Sequence, residues 1–138
     1  MSRIHHVGIA VADLEESIRL YHVALGAELV HRARNEKEGL EAAFLRVGDG
    51  ELELMAALRE DSPVGKFVAK RGPGLHHVAY AVADIEKALA DARAAGLELH
   101  DAQPRRGMRG RHTAGVHPQS RTGASDEEVL LDTRGRHP

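Results

Sequence analysis

The strongest constraint on the fold is an internal repeat. The eleven residues His5–Glu15 return 71 positions later as His76–Glu86, and eight of the eleven positions are identical. The other three positions exchange one small residue for another or one apolar residue for another. A repeat of this length indicates two copies of one supersecondary unit, neither of which can bury its apolar face alone.

Each copy reads as a strand that leads into a helix. Larger apolar and smaller residues alternate with a period of two along residues 6–11, which is typical of a strand. Asp13 and Asp84 then stand where helix N-caps belong, and Gly26 and Gly96 are natural C-terminal stops. Each half therefore begins with a strand and an amphipathic helix.

Extended segments follow each helix, and the predicted fold class is α+β with two βαβββ modules. The chain is predicted to form a single domain over residues 1–138, with module one at 3–58, a linker at 59–74 and module two at 75–133. Ser62-Pro63 and Gly72-Pro73-Gly74 punctuate the linker, which favours a short helix near 63–70. The extended segments are predicted at 27–34, 40–47 and 50–57 in the first half, and at 97–101, 111–116 and 127–133 in the second.

The alternation of the repeated strand places one histidine of each half at equivalent positions. Neighbouring residues on a strand point to opposite faces, so if Val7 faces the helix, then His6 faces away from it, as does His77 in the second copy. Two imidazoles related by pseudo-symmetry favour a divalent metal site. Glu53, on the hairpin strand 51–55, is the predicted oxygen ligand. A lone histidine at a strand start is more often structural, but two in register across a repeat favour metal ligation.

Composition narrows the function classes. The chain has no cysteine, which rules out a disulfide framework and a thiolate metal site. The net charge of −2 and the aromatic content of 3% argue against general nucleic-acid binding. Without a signal segment or an apolar run of about 20 residues, no membrane association is expected and the expected compartment is the cytoplasm.

A basic run at residues 105–111 is the local exception in charge. Its glycines would let backbone amides approach an anion, and arginine suits phosphate better than lysine does. Arg105, Arg106 and Arg109 are therefore the candidate contacts for a phosphate-bearing ligand. The alternative is an ordinary solvated loop.

Several segments carry a family resemblance that covers residues from about 3 to 123. His5–Leu14 resembles the opening strand of the vicinal-oxygen-chelate (glyoxalase/bleomycin-resistance/dioxygenase) superfamily. The more specific stretches 61–67, 74–79 and 104–107, with 116–120 beyond them, are similar to those of methylmalonyl-CoA epimerases. The resemblance implies two modules that form a curved, partly open barrel around a metal site, and relatives with this fold are commonly dimers, so a homodimer is a further expectation.

The resemblance also implies an activity and a ligand set. The implied reaction is the interconversion of (R)- and (S)-methylmalonyl-CoA through proton removal and return at C2, assisted by one divalent ion (Co, Mn, Ni, Zn or Mg). His6, Glu53 and His77 match three of the family's ligands. An acid near the C-terminus would be the fourth ligand and the base, with Asp132 favoured over Glu127 because 126–128 makes a poor strand core.

One further acid and three rival functions follow from the same resemblance. Some members carry a second catalytic acid at the position of Ala42; here the acid is Glu41, one residue early, which places it on the other face of a strand unless a bulge intervenes. The rivals are a glyoxalase-like isomerase, an Fe(II) dioxygenase, and a non-catalytic binder of antibiotics. The acyl-CoA type segments argue against the first two, and the histidine pair argues against the third.

Overall fold

The computed structural model describes residues 2–99, 105–106, 112–117 and 127–132. Both helices that follow the repeated strand and all three strands of the first half lie within one or two residues of their predicted bounds. The second half contains one short strand, at Arg105–Arg106, that the sequence did not predict. In chain order the elements are β1 (Arg3–Ala10), α1 (Leu14–Leu25), β2 (Glu28–Asn35), β3 (Leu40–Val47), β4 (Gly50–Ala57), α2 (Pro63–Arg71), β5 (Gly74–Val82), α3 (Ile85–Ala94), β6 (Glu98–Leu99), β7 (Arg105–Arg106), β8 (His112–His117) and β9 (Glu127–Asp132).

The chain divides into two compact units, residues 6–76 and residues 77–138 together with 1–5. In the first unit the strands are ordered β2-β3-β4-β1, with β1 parallel to β4 and the other neighbours antiparallel. In the second unit the order is β5-β9-β8-β6, with β5 parallel to β9 and β7 paired to β8. The two sets of strands repeat one connection pattern, as the βαβββ prediction requires.

Each unit buries the helix-facing side of its strands. In the first, Leu45 and Leu54 are fully buried and cluster with Leu14 at the start of α1, and Ile9 packs against that cluster. In the second, Val82 clusters with Ile85 and Leu89 of α3 and with a residue of β8. The predicted assignment of strand faces is therefore confirmed for Ile9, Val11 and Val82. His6 of β1 and His77 of β5 lie on the opposite face of their strands.

Two aspartates start the helices as predicted. The Asp13 carboxylate accepts a hydrogen bond from the Glu16 amide at 3.0 Å, and the Asp84 carboxylate accepts one from the Lys87 amide at 3.1 Å. Each satisfies a helix N–H that lacks a partner within the helix. Helix α1 ends at Gly26, whose φ of 68° lies in the left-handed region that glycine adopts without strain.

Helix α2 begins at a tight corner that explains two residues of the predicted linker. Ser62 is buried; its hydroxyl accepts from the Gly65 amide at 3.0 Å and donates to the Arg59 carbonyl oxygen at 2.7 Å. A Cβ at position 65 would lie 2.6 Å from the carbonyl oxygens of both Arg59 and Glu60. Only glycine fits at this position without a shift of the backbone.

Gly65→Ala is accordingly expected to destabilise the protein. Overpacking of this kind costs about 1–3 kcal/mol, which lowers Tm by roughly 3–12 °C in a chain of this size. Gly50→Ala is the matched control, because a Cβ there would meet its nearest neighbour at an ordinary 3.7 Å. The Tm of both variants is measured by thermal unfolding, with circular dichroism as the signal. Equal Tm values for the two variants would contradict the packing argument.

Candidate metal centre

Strand pairing brings Glu53 to the face of the sheet that carries His6. In the parallel register of β1 and β4, His6 is opposite Glu51 and Gly8 is opposite Glu53. Residues separated by two along a strand share a face, so these four positions lie on one side of the sheet. The opposite side carries Leu54, which is buried in the core against α1.

Three predicted ligands lie together in the structure. The potential ligand atoms of His6, Glu53 and His77 all lie within 4.8 Å of one another. His6 Nε2 lies 3.2 Å from Glu53 Oε1. All three residues are 6–7% exposed, so the donor atoms are withdrawn from bulk water.

The donor set suits a divalent cation. Two imidazole nitrogens and a carboxylate oxygen are the mixture that first-row transition metals and zinc accept. Neighbouring ligands of an octahedral ion bound at about 2.1 Å lie about 3 Å apart, close to the His6–Glu53 separation. A buried carboxylate needs a compensating charge, which an ion between these groups would supply. The ligand types do not choose one metal among Co, Mn, Ni, Zn and Mg.

Glu41 lies on the other side of the sheet. The β3–β4 register runs without a shift from Leu40 to Val47, so no bulge moves Glu41 to the face of Glu53. Its carboxylate lies 3.5 Å from Nε of Arg32, which also contacts Glu15 of α1. The hydrogen bond to Glu15 is the main reason why the pKa of Arg32 is raised, and Glu41 adds to that effect. Glu41 thus lies on the helix side of the sheet and contacts Arg32, and its catalytic role stays a prediction.

The register of β9 separates the two C-terminal acids. Position 127 is the register partner of His77, whereas position 132 is the partner of Val82. His77 and Val82 are five residues apart and therefore lie on opposite faces of β5, and Val82 packs against α3. In module one, Glu53 is the partner of Gly8; the equivalent pair in module two is Ala79 and Val129, so neither acid occupies the symmetry-related position.

The basic run is described only in part. Arg105 and Arg106 form β7, where Arg105 pairs with Thr113 and Arg106 with His112. Arg109 lies outside the described residues, as do the glycines of the run. The phosphate-contact assignment of all three arginines therefore stays a prediction.

Three of the other described histidines lie outside this group of potential ligands. His5 is buried. The His76 ring lies 4.8 Å from that of Phe67 in an edge-to-face arrangement. His22 Nδ1 lies 2.9 Å from the carbonyl oxygen of Ala27.

Sequence reasoning missed Phe44, which lies beside the ligand group. It is buried and is the register partner of Glu53 on β3. Its ring centroid lies 6.0 Å from that of His6. Residues 42–45 are all apolar, so no pattern in them indicates which one faces the site. Only the pairing of Phe44 with Glu53, an acid already singled out, could have indicated it.

Comparison with known proteins gives the family. The Glyoxalase/Bleomycin resistance protein/Dioxygenase superfamily matches residues 5–114. An ethylmalonyl-CoA/methylmalonyl-CoA epimerase of Cereibacter sphaeroides is 33% identical over 89% of this chain and 93% of that protein.

Solved structures of methylmalonyl-CoA epimerases also resemble this chain. Methylmalonyl-CoA epimerase from Mycobacterium tuberculosis superposes with a TM-score of 0.85 at 37% identity, covering 94% of this chain and 86% of the other. A Streptomyces coelicolor methylmalonyl-CoA epimerase variant in complex with 2-nitronate-propionyl-CoA gives a TM-score of 0.87 at 34% identity, with 99% and 97% covered. The predicted α+β, glyoxalase-like fold class is thereby confirmed. With the repeated βαβββ pattern and the buried His-Glu-His group, these matches show that the chain belongs to the methylmalonyl-CoA epimerase family of the glyoxalase/bleomycin resistance/dioxygenase superfamily.

Proposed function

We propose that this protein is an isomerase that epimerises methylmalonyl-CoA at C2. The observation that carries the proposal is the buried group of His6, Glu53 and His77 in a chain of this family. The relatives named above are epimerases of methylmalonyl-CoA, and one of them binds an acyl-CoA analogue. The substrate partner is accordingly an acyl-CoA that carries a carboxylate on C2.

The reaction needs a carbon acid to ionise next to a thioester. A divalent cation held by His6, Glu53 and His77 would stabilise the negative charge that develops on the thioester oxygen as the C2 proton leaves. Burial of the three donors limits their contact with water, which strengthens electrostatic interactions at the site. The protein's own task is then to take a proton from C2 and return one to the opposite face.

We assign the removal of the C2 proton and the fourth ligand to Glu127, while a second acid or a water would return a proton to the opposite face. The support is its register with His77, on the face of β5 that also carries Ala79 and Ala81, whereas Asp132 is in register with the α3-facing Val82. A carboxylate near the reacting carbon can accept the C2 proton as the C–H bond breaks. Asp132 is the alternative, since it ends the same strand and a shift in register would change its face.

Metal removal tests the proposed function. Dialysis against a chelator is expected to abolish interconversion of (R)- and (S)-methylmalonyl-CoA, and Co(II) is expected to restore it, because charge stabilisation at the thioester depends on the cation. The conversion is followed by chiral separation of the hydrolysed acyl groups. Full activity after the metal content has fallen to background would contradict the proposal.

The other expectations remain less specific. In the described part of the chain, no helix is long and apolar enough to cross a membrane. The cytoplasmic compartment, the homodimer and the contact of Arg105, Arg106 and Arg109 with the CoA phosphates stay predictions.

A further inference from the structure

We propose that Phe44 is a positioning residue of the metal centre, which fixes the ring of His6 and keeps the carboxylate of Glu53 dry. This inference rests on the metal centre proposed above and deepens it. Phe44 is one of only two phenylalanines in the chain and contacts two histidines.

Strand pairing sets Phe44 beside Glu53. The two residues are direct partners in the antiparallel register of β3 and β4. Side chains of such partners stand on the same face of the sheet with Cβ atoms about 4.5–5.5 Å apart. An apolar ring therefore stands next to the carboxylate that would bind the metal.

Ring contacts hold His6 from the same side. The Phe44 and His6 rings are at 86° to each other with centroids 6.0 Å apart, which is the edge-to-face arrangement that aromatic pairs prefer. A fixed neighbour at the imidazole restricts rotation about its last side-chain bond. That rotation decides whether His6 Nε2 stays directed at Glu53, 3.2 Å away.

A second histidine holds the phenyl ring in turn. His31 of β2 is the register partner of Phe44, and their ring centroids lie 5.9 Å apart at 41°. His31 is exposed whereas Phe44 is 3% exposed, so this row of side chains leads from solvent to the buried donors. Phe44 thus separates the ligand group from water on the β2 side. The apolar surroundings of a metal site control solvent access and the strength of its ligands.

Co(II) binding to the metal-free protein tests the inference without reference to activity. Phe44→Leu removes the ring and keeps an apolar side chain. This variant is expected to raise the Kd for Co(II) by roughly 10–100-fold, which is the usual effect of changes next to metal ligands. It is also expected to alter the visible absorption bands of bound Co(II), which report the ligand geometry. Phe44→Met, which fills more of the space, should show the same change in the bands if Phe44→Leu does not fold.

Leu45→Val is the matched control. Leu45 is the next residue of β3 and is fully buried, but it belongs to the core on the α1 side of the sheet. The Leu45→Val variant should have a lower Tm than the wild type, with a Kd for Co(II) and a Co(II) absorption spectrum at wild-type values. Wild-type Co(II) affinity and spectrum in both folded Phe44 variants would overturn the inference, as would an equal loss of affinity in Leu45→Val. A wild-type protein that binds no Co(II) would instead refute the metal centre itself.

Discussion

Replacing either His6 or His77 by alanine is expected to lower kcat/KM for methylmalonyl-CoA on the order of 10³-fold, because loss of a ligand removes several kcal/mol of charge stabilisation. Both side chains are buried within the same group of potential ligands, so either loss leaves the set incomplete. Steady-state kinetics with Co(II) added in excess, together with the bound metal content, measure the effect.

His22→Ala is the control for this pair. Its ring lies against the carbonyl oxygen of Ala27, at the end of α1, and belongs to no ligand group in the described residues. Wild-type activity is expected for this variant. Retention of metal and activity in both His6→Ala and His77→Ala would refute the proposed centre.

The second prediction with a large effect on kcat distinguishes Glu127 from Asp132 as the base. If Glu127 transfers the proton, Glu127→Gln is expected to lower kcat by about 10²–10⁴-fold, the usual contribution of a general base. Asp132→Asn should change kcat by less than about tenfold, since position 132 is in register with Val82. The two variants differ from the parent only in one oxygen-to-nitrogen exchange each, and circular dichroism checks their folding.

The opposite pattern would reassign the residue. A large loss in Asp132→Asn with near-normal Glu127→Gln would mean that β9 pairs with β5 in another register during catalysis. It would also restore the order of preference that the sequence had suggested. Metal content of the two variants shows in either case whether the same carboxylate is also a ligand.

Much of the fold could be predicted because the repeat supplies two independent readings of one pattern. Equivalent positions in the two copies predict His6 and His77. Alternation along the hairpin strand puts Glu51 and Glu53 on one face, and the family resemblance matches Glu53 to a ligand. Local rules for caps and strand faces then held, since Asp13 and Asp84 do cap their helices and Val82 does face α3.

The remaining features depend on register between distant strands. Which of Glu127 and Asp132 reaches the face of His77 depends on how β9 pairs with β5, and a slip by one residue reverses every face. The register shift between Leu29 and His31 likewise decides that His31 stands opposite Phe44. Glu41 lies one residue before Ala42, the position at which some family members carry the acid. The uninterrupted β3–β4 pairing shows that no bulge moves Glu41 to the other face of the strand.

The proposed activity requires this chain to ionise the C2–H bond of methylmalonyl-CoA at a metal-dependent site. Proton–deuterium exchange at C2 in heavy water measures this ionisation. Mass spectrometry detects the deuterium that is incorporated with metal-free protein and with the same protein after Co(II) addition. We predict fast exchange only with Co(II), and its loss in His77→Ala. The absence of exchange in folded wild-type protein that has bound Co(II) would contradict the account.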